Sequence, residues 1–303
     1  MKPPIDFHTH LFSYPYFEAL AKLSPGAGTP REKIERVTKA AGIDAPAADL
    51  AAHVARWTAE MDRHGVRHAV TFASAPEEAP AVAEAASLAK GRLSPFALVN
   101  PLAEGTLARV RDLLAGPFKG ILLFPAMHHF RMSDPALAPL LGAVAERGAV
   151  AVVQCGILQV RMRDLMGLPR RFDISWANPI DVVPAADAHP SVRFVIPHFG
   201  AGFFREALMA GTQCENVFLD TSSSNSWMLT QEAARTLADV YDRALDVFGP
   251  TRLLFGTDSS TFPRGWRADV LEAQQEALKA CHVSAADQDR IFSGNAERLL
   301  GLS

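Results

Sequence analysis

Eight short β-rich runs alternating with stretches of helix-forming composition constrain this chain more than any other feature. The runs are Pro3 to His8, Arg67 to Ala73, Leu93 to Val99, Lys119 to Phe124, Val150 to Cys155, Arg193 to His198, Val217 to Thr221 and Arg252 to Thr257. Helical periodicity fills the intervals, as at Ala79 to Lys90, Leu102 to Ala115, Pro135 to Arg147 and Thr230 to Phe248. Several runs are apolar at consecutive positions, such as Ile121-Leu122-Leu123-Phe124 and Phe194-Val195-Ile196, which suits parallel strands buried on both faces. The alternation predicts an α/β chain closed into a (β/α)8 TIM barrel, one domain over residues 1–303. That length is within the range of a single barrel, and 49% hydrophobic with 21% charged residues supplies a large core under an ordinary soluble surface.

Two connections are longer than the barrel needs. Phe12 to Gly65 is a helical insertion after the first strand, with helical patterns at Arg31 to Ala41 and Ala47 to Arg63. Gly156 to His189 is a long loop after the fifth, rich in Arg, Pro and Gly. Both leave strand C-termini, so both are expected over the barrel mouth, where this fold builds its catalytic face. Trp266 to Cys281 and Ala285 to Leu300 read as closing helices, with Gly301 as the stop.

The formal charge of −3 comes without a basic cluster, which excludes the electrostatic footprint of a nucleic-acid binder and leaves a small molecule as the expected partner. Cys155, Cys214 and Cys281 are widely spaced and odd in number, giving neither a disulfide framework nor a thiolate zinc site. With no apolar signal region near Met1 and no membrane-length apolar run, a soluble cytoplasmic protein with no membrane partner is expected.

His8 and His10 stand at the end of the first run. Side chains alternate along a strand, so two histidines one residue apart face the same way and can grip one cation; a pair of solvated histidines is the competing reading. The other strand ends decide between them. His198 ends the sixth run and Asp258 follows the eighth in Phe255-Gly256-Thr257-Asp258, so both meet the pair at the barrel mouth. Together the four offer nitrogen and oxygen donors suited to zinc, manganese or iron.

With these motifs the chain resembles the amidohydrolase superfamily, in particular its amidohydrolase-related branch of metal-dependent TIM-barrel hydrolases and decarboxylases akin to aminocarboxymuconate semialdehyde decarboxylase. The resemblance runs from Ile5-Asp6-Phe7-His8-Thr9-His10 through His198-Phe199-Gly200 and Gly256-Thr257-Asp258 to Gly294-Asn295-Ala296-Glu297-Arg298-Leu299-Leu300-Gly301. It implies one divalent metal, zinc before manganese or iron, held by His8, His10, Asp258 and the residue ending the fifth strand. It also implies that His198 faces the metal-bound water or the substrate, and that a homodimer forms. The chain departs from the family at the fifth strand, where Gln154 takes the place of the usual histidine and offers a poorer donor. The fourth strand carries no lysine at its C-terminal end to bridge a second metal, since Lys119 lies at its beginning. Cys155, next to Gln154, alternates to the opposite face.

Further mouth residues are candidates for substrate binding. His128 and His129 follow the fourth strand, and Arg161, Arg163, Arg131 and Arg264 supply guanidinium forks that match a carboxylate. Trp266, with Trp227, Phe130 and Phe262, is a candidate for an apolar wall, and Ser222 to Asn225 could orient a ligand. Two reactions fit. In the first, a metal-activated water attacks an amide, ester or lactone, with Asp258 moving the proton and His198 steadying the oxyanion. The second is nonoxidative decarboxylation of an aromatic or muconate-like acid. Leu122 and Ser259-Ser260 stand where the decarboxylases of the branch carry a basic strand-four motif and a Tyr-Pro, so hydrolysis is the reading preferred. A metal-free small-molecule-binding relic is the nonenzymatic alternative.

Overall fold

Eight parallel strands follow one another around the sheet in chain order: β1 (Ile5–His10), β2 (His68–Ala73), β3 (Leu93–Val99), β4 (Gly120–Leu123), β5 (Val150–Val153), β6 (Arg193–Ile196), β7 (Val217–Asp220) and β8 (Leu253–Leu254). This is a computed structural model, and it describes residues 2–223, 226–232 and 235–302. The seam between β8 and β1 is closed by backbone bonds, Phe7 N–H to Phe255 O at 2.7 Å, Asp258 N–H to His8 O at 2.9 Å and His10 N–H to Ser259 O at 2.8 Å. The chain is a single-domain (β/α)8 barrel, as its periodicity predicts.

Alternation divides the strand residues between two cores. Val70, Phe72, Phe96, Leu98, Leu122 and Val152 fill the barrel interior, while Ala69, Ala97, Ile121, Leu123, Ala151 and Val153 pack outward against the helices. Gly120 opens β4 because no side chain fits there: a Cβ would lie 2.2 Å from the Phe96 ring and 2.4 Å from Val150 O. In β1 the pairing register shifts between Asp6 and Thr9. That irregularity changes the phase of the strand, so Ile5 and Phe7 point into the interior while His8 and His10 also reach the mouth.

The insertion after β1 forms α1 (Tyr14–Leu23), α2 (Pro30–Ala41) and α3 (Leu50–Arg63). Thr29 and Glu32 cap α2 reciprocally, and Gly42 ends it in the left-handed conformation at φ 68°. The outer layer continues with α4 (Ala79–Leu88), α5 (Thr106–Ala115), the single turn α6 (Pro125–His128), α7 (Ala138–Glu146), α8 (Arg161–Leu165), α9 (Val182–Ala188) and α10 (Phe204–Gln213). It closes with α11 (Leu237–Phe248), α12 (Ala268–Ala280), α13 (Ala285–Asp289) and α14 (Asn295–Leu300). A π-helical turn at Arg290–Gly294 divides the expected last helix, and Gly301 ends it at φ 63°. The helix expected from Thr230 begins only at Leu237, where Thr236 and Asp239 form a capping box. No helix among the described residues is long and apolar enough to cross a membrane.

His68 is a buried histidine at the other end of β2, its Nε2 2.9 Å from Ser94 Oγ. Burial, then the Arg67 charge, hold its pKa down to about 4 against an ordinary 6.5. The unfolded chain therefore binds a proton at a higher pH than the fold does, and stability is lost as pH falls from about 6.5 toward 4. His68→Asn removes this sensitivity. Between pH 8 and pH 5 the wild type is expected to lose about 2 kcal/mol relative to the variant. Urea unfolding at both pH values checks this, and an unchanged difference refutes it.

Candidate metal centre and active-site cleft

The mouth of the barrel is a cleft of about 1040 Å³. Leu98, Leu122 and Phe124 form part of its floor, and Phe12 and Tyr16, stacked at 4.5 Å, stand on the side of the helical insertion. His8, His10, Gln154, His198 and Asp258 all line it.

The histidines present themselves as ligands by the way their other nitrogens are used. His8 Nδ1 lies 2.5 Å from Asp220 Oδ2, and His10 Nδ1 lies 2.8 Å from Ser74 Oγ. Both rings thereby turn Nε2 to Asp258, whose Oδ1 is 4.0 Å from His8 Nε2 and 3.3 Å from His10 Nε2. The ligand atoms of these three residues lie within 4.8 Å of one another, a spacing a single cation can bridge. Asp258 sits just beyond β8 with φ 61°, fixed by its own N–H on His8 O. A bare Gly256 makes room for the group, since a Cβ there would fall 2.8 Å from Asp220 Oδ1 and 2.8 Å from His8 Cβ.

The electrostatics suit a cation. Burial works to lower the His8 pKa, but the Asp220 carboxylate outweighs it and the net shift is upward. Burial would likewise raise Asp258, yet the hydrogen bond from His10 and the neighbouring imidazoles hold it well below the ordinary carboxylate range. His10 is lowered, by burial first and against the pull of Asp258, which favours the neutral ring that a metal requires. The buried carboxylates that favour positive charge on His8 favour a metal in the same place.

His198 stands over the pair. Its ring centroid is 4.6 Å from that of His8, and its Nδ1 is 2.8 Å from Ser222 Oγ. Burial and the adjacent His8 hold its pKa to about 4, so it is neutral across the physiological range. It follows β6 rather than ending it, at φ 57° in a tight turn with Phe199 and Ala201 also at positive φ. Such backbone is costly for residues with side chains and recurs where function fixes a geometry.

Gln154 continues the inward row of Val150 and Val152 and lines the cleft, its Nε2 donating to Cys155 O at 3.3 Å. Cys155 faces outward into the helix-packed core, as alternation predicts. Leu122 occupies the inward position of β4, and Lys119 lies exposed before the strand, so no bridging lysine reaches the mouth.

Of the proposed substrate contacts, His128, Arg161, Arg163 and Arg264 line the cleft. His128 Nδ1 and Arg163 Nε are buried without a partner among the described residues. Trp266 does not belong to the cleft wall. Its indole N–H donates to Asp6 Oδ2 at 2.7 Å, and its ring packs beside Phe255 behind the site. Phe130 and Phe262 are likewise part of the outer core, and Trp227 lines a separate cavity of about 160 Å³. Arg131 is engaged by Asp181 and His129 by Arg171 O, both away from the cleft. Ser222 holds His198, Ser223 lines the cleft, and Ser224 and Asn225 lie outside the described residues.

Asp220 and Asp6 were not singled out in the sequence. Asp220 is the inward residue at the C-terminal end of β7, two after the interior Phe218, so strand phase alone marks it as a mouth carboxylate. Asp6 accepts from His8 N–H, Thr257 N–H, Thr257 Oγ1 and Trp266 Nε1, stitching β1 to the segment after β8. Burial pushes its pKa up to about 6, against those hydrogen bonds.

The family model described as amidohydrolase matches residues 5–302. No curated protein matches the chain. Among solved structures, an uncharacterised TIM-barrel protein from Bordetella bronchiseptica is 19% identical with a TM-score of 0.67, the match covering 99% of this chain and 98% of that one. 5-Carboxyvanillate decarboxylase from Sphingomonas paucimobilis is 13% identical with a TM-score of 0.67, covering 100% of both chains. A probable 2-pyrone-4,6-dicarboxylic acid hydrolase from Acinetobacter baumannii, with citric acid bound, is 16% identical with a TM-score of 0.63, covering 99% of both. At these identities the likeness is one of fold.

Proposed function

The chain belongs to the amidohydrolase family, and from that membership we propose that it is a metal-dependent hydrolase cleaving an amide, ester or lactone in a small substrate that carries a carboxylate. The observation that carries this reading is the convergence of His8 Nε2 and His10 Nε2 on Asp258, each ring tied at its other nitrogen. His8, His10 and Asp258 would hold one divalent cation, zinc before manganese or iron, with Gln154 beside them. When bound, the cation supplies Lewis acidity and lowers the pKa of a water from near 16 toward about 7.

The protein side chains do the rest. The Asp258 carboxylate takes the proton of the attacking water and returns it to the leaving group. His198, its Nδ1 tied to the Ser222 hydroxyl, would steady the oxyanion that develops on the substrate when its Nε2 carries the proton. Arg163 and His128 offer buried N–H groups to the substrate carboxylate, and Arg161 and Arg264 add positive charge across the mouth. Leu122, apolar at the floor, provides no acid to protonate a substrate carbon, which favours hydrolysis over the decarboxylation that the same residues could otherwise support.

Metal content of protein purified without added metal tests the reading first. Close to one equivalent per chain is expected, and less than about a tenth after incubation with zinc and manganese supports a metal-free binding protein instead. Lactone and ester panels run beside hydroxybenzoates and muconate-like acids then separate the reactions, with carbon dioxide release overturning the hydrolase assignment. Gln154→His is expected to tighten metal binding by about tenfold or more, because imidazole is a better donor than a neutral amide. Competition with a chelator measures this, and an unchanged affinity places residue 154 outside the ligand set.

A further inference from the structure

Glu78 is a fully buried carboxylate that the proposed chemistry does not use. It ends the 3₁₀ turn Pro76–Glu78 that leads into α4. Its Oε1 accepts from Ser13 N–H at 2.7 Å and from the Ser13 hydroxyl at 2.9 Å, and its Oε2 accepts from Ser74 N–H at 2.8 Å. All three donors are neutral, and burial pushes the carboxyl up to about 7. Retaining such a group in the interior is costly unless its acceptor capacity matters.

The two serines show where that capacity is used. Ser13 lies in the connection leaving β1 and Ser74 in the connection leaving β2, so Glu78 clips together the two loops that flank His10. Ser74 Oγ is in turn 2.8 Å from His10 Nδ1. Only a carboxylate accepts at both ends. An amide at this position would set its NH2 group against one of the backbone N–H donors.

We infer that Glu78 is a positioning residue of the metal centre: by holding the Ser74 backbone it places the Ser74 hydroxyl on His10 Nδ1 and so keeps Nε2 directed at Asp258. This rests on the reading of His10 as a metal ligand. A chain of this kind sets the aim of a ligand, and its loss typically weakens metal binding by about 10- to 100-fold.

Zinc affinity by chelator competition and the visible spectrum of the cobalt-loaded protein, read beside Tm, test the inference in wild type, Glu78→Gln, Ser74→Ala and the double variant. Each single change is expected to weaken zinc by about tenfold or more and to alter the cobalt spectrum. The double variant should bind no more than about twofold more weakly than Ser74→Ala, because the path through Ser74 is already cut. Ser13→Ala, on the other arm, should lower Tm and leave zinc affinity within about twofold. Unchanged affinity in Glu78→Gln, or losses that multiply in the double variant, overturns the inference while leaving the metal reading intact. If Glu78→Gln does not fold, unchanged affinity in Ser74→Ala overturns it alone. A wild-type protein that takes up neither zinc nor cobalt overturns the metal reading and this inference with it.

Discussion

Replacing both His8 and His10 with alanine is expected to reduce bound metal to background and turnover with it, while leaving the barrel folded. Two imidazole donors are removed from a site whose remaining protein groups are one carboxylate and a neutral amide, a set with little hold on a borderline-soft cation. The fold should survive because β1 is held by its backbone. Ile5 and Asp6 pair with His68 and Ala69, Phe7 N–H reaches Phe255 O, and neither alanine disturbs those bonds. The cost falls instead on Asp220, which would lose its His8 partner and remain a buried acid accepting from the neutral Ser222 N–H. A penalty of about 3 kcal/mol follows from breaking a buried pair at one side, and adding Asp220→Asn to the double variant should recover part of it. Metal per chain by elemental analysis, with urea unfolding, measures both effects. Metal retained at wild-type stoichiometry would remove the histidine pair from the ligand set.

How far the sequence discloses this site depends on whether a residue's role is local. The barrel is legible because period-two and helical patterns are properties of short segments, and the predicted strands β2 and β3 coincide with the observed ones to within a residue. Strand phase also places Gln154 inward and Cys155 outward correctly. The same phase places Asp220 inward at the end of β7, two residues after Phe218. Its bond to His8 joins residues 212 positions apart and has no local signature. Trp266 shows the converse. It follows the last ligand closely in sequence and reads as a pocket wall, yet Asp6, 260 positions earlier, draws its indole N–H behind the site. The short β8 reflects chemistry as well. Beyond Leu254 the backbone leaves the regular ladder, and by Asp258 it reaches the left-handed conformation that turns the carboxylate into the mouth.

That conformation makes Asp258→Asn the most discriminating single substitution. Asparagine is, with aspartate, the side-chain-bearing residue best suited to φ 61°, so the backbone bond from residue 258 N–H to His8 O should persist. The variant should remain folded, its Tm within a few degrees of wild type. What it loses is a negative charge between His8 and His10 and the ability to accept and return a proton. General acid–base catalysis contributes about 10²- to 10⁴-fold, and the weaker neutral ligand adds to that, so kcat/KM is expected to fall by about a thousandfold or more. Measuring at saturating zinc separates the two contributions. If kcat recovers when metal is raised, Asp258 acts only as a ligand. A thousandfold deficit that persists with the metal fully bound assigns the proton transfer to it, because the imidazoles of His8 and His10 are then engaged at both nitrogens and cannot substitute.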